Sequence, residues 1–257
     1  MGFFGLFERA KPALFPDGRV GFAVGDIHGR ADLLAKLLNL FEARAEQEVR
    51  EGGAPVLVFL GDYVDRGPDS ARVLDLLISR RPHTYERHFL LGNHERAMLG
   101  FLESPLSHRG WLVHGGTDTL QSYGIAPPSP MHATADECEA AAAALKAALP
   151  PEHLSFLQGL ERYAEFGGYA FVHAGVRAGR SLAKQKDGDL LWIRERFLNS
   201  KRRFSHRVVH GHTPADAPFA DERRVGIDTG AYATGVLTAA RFEGEAVEFL
   251  SVTDRSR

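Results

Sequence analysis

The stretch VLVFLGDYVDRG, residues 56–67, decides how this chain folds. Its first five residues are all apolar, and a strand apolar on both faces belongs in a sheet that is covered on both sides. Gly61 then lets the backbone turn, and Asp62, Asp65 and Arg66 follow within a few residues. Taken alone, such an ending is most often only a turn. The question is whether it recurs.

It recurs four times. FAVGDIHG (22–29) ends in Asp26 and His28, and HFLLGNHE (88–95) ends in Asn93, His94 and Glu95. Later, YAFVHAG (169–175) delivers His173, and RVVHGHTP (207–214) delivers His210 and His212. Between the first three strands lie helical patterns. RADLLAKLLNLFEARAEQEV (30–49) puts Leu33, Leu34, Leu37, Leu38 and Phe41 on one stripe, and GPDSARVLDLLISR (67–80) carries Pro68 where a first turn accepts it. This β-α-β-α-β alternation predicts a largely parallel sheet flanked by helices, in which ligand sites lie beyond the carboxyl ends of the strands. Five strand ends, each with a glycine beside a ligand-type residue, therefore converge on one edge.

Aspartate, asparagine and histidine together suit manganese, iron or zinc. There are too many of them for one ion. Two ions about 3.5–4 Å apart require a bridging carboxylate, and Asp62, on the middle of the three early strands, is the natural bridge. His83, His88, His108, His114, His132, His153 and His206 read as surface, core or cap residues, and Glu95 as a loop-fixing acceptor.

Residues 98–165 break the alternation and read as a mostly helical cap inserted in a single domain spanning 1–257. Within it, TADECEAAAAALKAALP (134–150) is a helix with a Thr134–Glu137 capping box and a proline stop. Trp111 and Tyr123 are either substrate-facing aromatics or cap core. After the cap, GVLTAARF (235–242) and AVEFLS (246–251) alternate more and read as antiparallel strands.

GDIHG, GDYVDRG, GNHE, VHAG and GHTP, spanning Gly25 to Pro214, together resemble the metallophosphoesterase superfamily. More narrowly they resemble its phosphoprotein phosphatase family, including the bacterial and phage branch. That resemblance implies a four-layer α/β/β/α sandwich of two mixed sheets with two divalent metals at the sheet edge, manganese above all, with iron or zinc as alternatives. It implies Asp26 and His28 on the first metal, Asp62 bridging, and Asn93, His173 and His212 on the second, with His210 outside the ligand set. It implies His94 as general acid oriented by Asp65, Arg66 gripping phosphate, and Arg194 in LLWIRERF as the second arginine, with Arg196 and Arg177 as rivals. The expected reaction is attack of a metal-bridging hydroxide on phosphorus while His94 protonates the leaving oxygen. A Ser/Thr (or Tyr) phosphoprotein phosphatase is the first expectation, a dinucleoside polyphosphate hydrolase the second, and a non-catalytic scaffold a remote third.

The resemblance implies a phosphorylated protein or nucleotide as substrate, and the bulk composition, 44% hydrophobic and 25% charged, is that of an ordinary globular domain. A formal net charge of −2 offers no basic field, so no DNA or RNA partner is expected. No apolar run reaches the ~18 residues of a membrane span. The single cysteine, Cys138, excludes an intrachain disulfide and fits a reducing, cytoplasmic compartment. MGFFGLFERAK at the start has no basic leading region and carries Leu6 where a myristoylation signal needs Ser or Thr, so it reads as a tail packing on the body. Oligomeric state is left open.

Overall fold

A computed structural model describes residues 12–50, 54–80 and 85–254. The amino-terminal tail and His83 lie outside the described residues. In chain order the first half comprises β1 (Arg19–Val24), α1 (Ala31–Arg50), β2 (Ala54–Phe59), α2 (Ser70–Ser79), β3 (Glu86–Phe89) and α3 (Asn93–Glu103). Then come α4 (Thr117–Ser122), α5 (Ala135–Ala148), α6 (Pro151–Gln158), β4 (Ala164–Phe166) and β5 (Tyr169–Phe171). The second half adds α7 (Asp187–Trp192), α8 (Glu195–Leu198), β6 (Arg207–His210), β7 (Phe219–Ala220), β8 (Arg224–Gly226), α9 (Ala231–Thr234), β9 (Val236–Glu243) and β10 (Ala246–Thr253).

The strands form two five-stranded mixed sheets, ordered β10-β9-β1-β2-β3 and β4-β5-β6-β8-β7. Side-chain alternation shows why they stack. On β1, Val20, Phe22 and Val24 join the cluster under α1 and α2, while Ala23 points to the opposite face. On β2, Leu57 and Phe59 go with the helices, and Val56 and Val58 face the second sheet. Strands β5 and β6 do the same from the other side: Tyr169, Phe171 and Val209 fill the space between sheets, and Ala170 and Val208 pack on Leu190 of α7, Phe197 of α8 and Ile193 between them. Period-two apolar residues on both faces thus produce helix, sheet, sheet and helix layers. Between the sheets Phe15, Phe166, Tyr169, Phe171 and Phe242 form one ring cluster, with centroids 5.2–6.5 Å apart across its contacts. Each such burial is worth ~1.5–3 kcal/mol.

Strands β1, β2 and β3 run parallel, and Val24, Phe59 and Phe89 end level with one another. Strands β5, β6 and β8 are also parallel. β9 pairs antiparallel with both β1 and β10, as the alternation of its sequence predicts.

Two local expectations differ from the structure. Helix α2 starts at Ser70, leaving Pro68 in the preceding turn, because Asp65 and Arg66 take left-handed backbone and delay the helix. β3 begins earlier than HFLL: Glu86 and Arg87 pair with β2, and Leu90 instead bridges to Glu161.

Helices α3 to α6 do not stand apart as a separate lobe. Phe101, Trp111, Leu120, Cys138, Leu145 and Leu157 share one buried cluster with Leu33, Leu37, Val73 and Leu77. Helix α5 opens with the expected reciprocal box, in which Thr134 Oγ1 accepts from the Glu137 N–H and Glu137 Oε2 accepts from the Thr134 N–H. Thr134→Ala is expected to lower stability by ~1 kcal/mol in denaturant unfolding. An unchanged midpoint would mean that burial of Cys138 and Leu145 alone sets the helix start.

Candidate metal centre

The loops leaving β1, β2, β5 and β6 and the first turn of α3 after β3 bring Asp26, His28, Asp62, Asn93, His94, His173 and His212 together, all buried. Five non-glycine residues among those described have left-handed backbone: His28, Asp62, Asp65, Arg66 and His212. Each is a site residue named from the sequence. Such conformations cost ~1–3 kcal/mol apiece and persist only where the surroundings over-determine them.

Glu95 supplies much of that determination. Its carboxylate accepts from the backbone N–H of Asp62 (2.9 Å), Tyr63 (2.7 Å), Val64 (3.2 Å) and Gly92 (3.0 Å). Burial and the neighbouring Asp62 push its pKa up to about 8, and the N–H groups of Val64 and Tyr63 oppose this. Glu95 is thus the clamp on the loop expected from the sequence. Gly92 has to be glycine here, because a Cβ would overlap both the Asp62 and the Glu95 carboxylates.

Asp62 sits at the middle. Nε2 of His28 lies 3.5 Å from its Oδ2, and Nε2 of His173 lies 3.4 Å from its Oδ1. One carboxylate therefore offers a different oxygen to each of two ligand groups. Asp62, His28 and His94 make one set of ligand atoms within 4.8 Å of one another, and Asp62, His173 and His212 make a second. The other ring nitrogens are anchored: Nδ1 of His28 is 3.0 Å from the Val64 carbonyl, and Nδ1 of His173 is 3.0 Å from the Leu60 carbonyl. Those contacts leave Nε2 as the free ligand atom on each ring. Asn93 Oδ1 lies 2.9 Å from His173 Nε2, at the same point.

Asp26 is placed differently. Its carboxylate accepts from the His212 N–H at 3.0 and 3.2 Å and lies against Asp228. Asp228 was not read from the sequence, although GID (226–228) repeats the strand-end signature. Asp26, Asp62 and Asp228 form a buried acidic group, and among the described residues no lysine or arginine is ion-paired with any of them. Burial, Asp228 and Asp62 raise Asp26, and burial raises Asp228 to about 6. Asp62 goes the other way, because the four surrounding imidazoles outweigh its burial. Burial lowers His28 to about 3 and His212 to about 2, and His173 also falls. Neutral imidazoles beside crowded carboxylates are the donor set a divalent cation needs. His212 Nε2 is buried without a hydrogen-bond partner, a further sign of fit to a metal ion.

His210 is committed elsewhere, with Nδ1 3.0 Å from the Gly211 carbonyl and Nε2 3.2 Å from Arg224. Of the three candidate arginines, Arg196 is exposed on α8 and Arg177 is held by Asp189 at 3.1 Å. Arg194 stands at the start of α8 without a side-chain capping bond, and its charge is felt at His173 and His212. The Arg66 guanidinium lies 4.8 Å from the Tyr232 ring centroid, and that ring meets His28 edge-on at 5.3 Å. Trp192 is 52% exposed and stands 6.1 Å from the His212 ring. Neither aromatic was read from the sequence as part of the site.

His94 Nδ1 lies 2.7 Å from Asp65 Oδ2, and its Nε2 lies 3.9 Å from Asp62 Oδ2. Burial lowers the His94 pKa, but Asp62 and the hydrogen bond to Asp65 outweigh it and hold the ring above its ordinary value. The two cap aromatics are engaged within the protein. Trp111 is buried, with its indole N–H on Asp65, and the Tyr123 hydroxyl bonds His153, which in turn meets Asp75. Trp111 therefore belongs to the packed interior and Tyr123, half-buried, packs against the same cluster, which favours the cap-core reading.

The calcineurin-like phosphoesterase family model matches residues 22–244. A bis(5'-nucleosyl)-tetraphosphatase PrpE from Geobacillus thermodenitrificans is 28% identical over 246 residues, covering 85% of this chain and 89% of that protein. Serine/threonine-protein phosphatase 1 from Salmonella typhimurium is 31% identical over 227 residues, covering 86% and 91%. In fold, the chain is similar to a crystallised cold-active protein-tyrosine phosphatase of a psychrophilic Shewanella, with TM-score 0.60, 16% identity, and coverage of 95% and 83%. No described helix is long and apolar enough to cross a membrane.

Proposed function

The chain belongs to the calcineurin-like phosphoesterase family, whose members are metal-dependent phosphoester hydrolases, and on that premise we propose that it is a two-metal phosphoprotein phosphatase. The observation that carries the two-metal reading is Asp62, with His28 against one oxygen and His173 against the other. His28, Asp62 and Asp26 would hold one divalent cation, and Asp62, Asn93, His173 and His212 the other, with manganese as the proposed metal. Such a pair, when bound, supplies Lewis acidity and lowers the pKa of bound water.

The protein's own groups do the rest. Arg66, steadied by Tyr232, and Arg194 bind the phosphoryl oxygens as planar forks. His94 holds a proton on Nε2 and gives it to the departing oxygen, while Nδ1–H stays on Asp65. This supports activity over a non-catalytic scaffold, since the ligand-type residues and the His94–Asp65 pair are all present in the buried centre.

For substrate, similarity to the Salmonella phosphatase supports phosphoseryl and phosphothreonyl proteins. A second reading, dinucleoside polyphosphates, is favoured by the PrpE relatives and by the exposed rings of Trp192 and Tyr232 beside the centre, since exposed aromatics stack on bases. Manganese-loaded protein given phosphopeptides and diadenosine tetraphosphate in parallel separates the two. The first reading expects the higher kcat/KM on phosphopeptides. A reversed ratio transfers the assignment to dinucleotides, and hydrolysis of aryl phosphates alone removes both.

A further inference from the structure

We infer that Trp111 and Thr119, from the cap, are positioning residues for leaving-group protonation. The inference rests on the general-acid role proposed above for His94. Asp65 is gripped from three directions. Trp111 Nε1 donates to its Oδ2 at 2.8 Å and Oδ1 at 3.1 Å, and Thr119 Oγ1 donates to Oδ1 at 2.6 Å. The Asp65 N–H donates to Thr119 Oγ1 (2.9 Å) and Ser70 Oγ (3.0 Å), whose oxygens are 3.0 Å apart. Because Thr119 spends its proton on Asp65, Ser70 is the donor between the two hydroxyls. Trp111, Thr119 and Ser70 are all buried.

This clamp has a chemical consequence. A carboxylate free to rotate would offer either oxygen, in any plane, to His94. Here Oδ1 is occupied by Thr119 and the indole straddles the two oxygens, so Oδ2 is presented to His94 Nδ1 in one orientation. That orientation fixes the tautomer and aims Nε2 at the phosphoryl site. In the step itself the Nε2–H bond breaks as the leaving oxygen gains the proton and its bond to phosphorus is lost. The neutral imidazole keeps Nδ1–H on Asp65.

The same cap segment also braces the neighbouring arginine. Gly115 has φ +105, and its carbonyl accepts from the Arg66 N–H at 3.3 Å. A Cβ there would come within 2.6 Å of the Arg66 nitrogen. The cap thus holds the left-handed Asp65–Arg66 turn in place, and its contribution is to the chemistry common to every substrate.

Thr119→Val removes the hydroxyl at constant shape, and Trp111→Phe removes the indole N–H. Both are compared with wild type on phenyl phosphate and para-nitrophenyl phosphate, alongside Thr119→Ser and His94→Asn. Folding is checked by circular dichroism and metal content by elemental analysis. The expected result is a loss of about tenfold on phenyl phosphate, part of the ~10²–10⁴-fold that general acid catalysis is worth. Loss on the nitrophenyl ester is expected to be smaller, metal content unchanged, and Thr119→Ser close to wild type. In histidine-labelled protein, the downfield Nδ1–H proton resonance of His94 should shift or broaden in Thr119→Val. Equal losses on both esters, or an unmoved resonance, overturn the inference. If His94→Asn itself shows no leaving-group dependence, the general-acid reading falls first. If His94→Asn shows it and the cap variants do not, only the positioning role is lost.

Discussion

His94→Asn is expected to lower kcat on alkyl phosphates by ~10²–10⁴-fold while both metal sites keep their ions. The size follows from what the ring touches. His94 bonds Asp65 through Nδ1, and its Nε2 is 3.9 Å from Asp62 Oδ2, close to the cluster yet longer than the His28 and His173 approaches of 3.5 and 3.4 Å. Asparagine keeps a polar side chain of similar reach but has no proton to transfer at neutral pH. An alkoxide leaves poorly without that proton, so the loss is large. A nitrophenolate leaves well without it, so the loss there is expected to be small. His94 also completes one of the two three-residue ligand groups, which makes the metal measurement decisive. If elemental analysis shows the variant losing an ion, His94 is a ligand and the acid must be sought elsewhere. Equal losses on good and poor leaving groups would instead make His94 a substrate-positioning group.

The legibility of this centre in the sequence follows from its physics. Parallel strands buried on both faces need unbroken apolar runs, and VLVFL and GFAV show them. Left-handed turns at their ends need glycine beside short polar residues, which is the pattern around Asp62 and His28. Such requirements are local, so they leave local marks. The grip on Asp65 leaves none. Trp111 and Thr119 reach it across 46 and 54 residues of chain, through a distorted turn at Leu112–Gly116 that no periodicity announces. Read in isolation, a tryptophan in an inserted segment is equally a surface platform or a core residue, and only the packing of the cap on α2 and α3 decides it. Asp228 is an intermediate case. Its strand β8 is only three residues long, so the apolar run that would have flagged the aspartate is too short to stand out.

Asp62→Asn tests the centre as a whole and is expected to empty both sites together. In the wild type two ions per chain are expected, because His28 and His173 approach different oxygens of this one carboxylate, which both ions would need. The amide keeps the shape, but it removes the negative charge and turns a donating NH₂ toward one of the two positions. A partner that merely orients a metal ligand is typically worth ~10–100-fold in affinity, so loss of the shared ligand itself should exceed that at both positions. Activity should fall at least in proportion at limiting metal. Stability gives an independent readout. An ion that binds only the folded state at 100 times its Kd adds ~2.7 kcal/mol. Chelation should therefore lower the Tm of the wild type and leave that of Asp62→Asn nearly unmoved. A variant that loses one ion and retains the other at full affinity would show that the two positions do not share Asp62. A wild type fully active with a single ion would remove the two-metal reading altogether, and His173, Asn93 and His212 would then need a different explanation for their convergence.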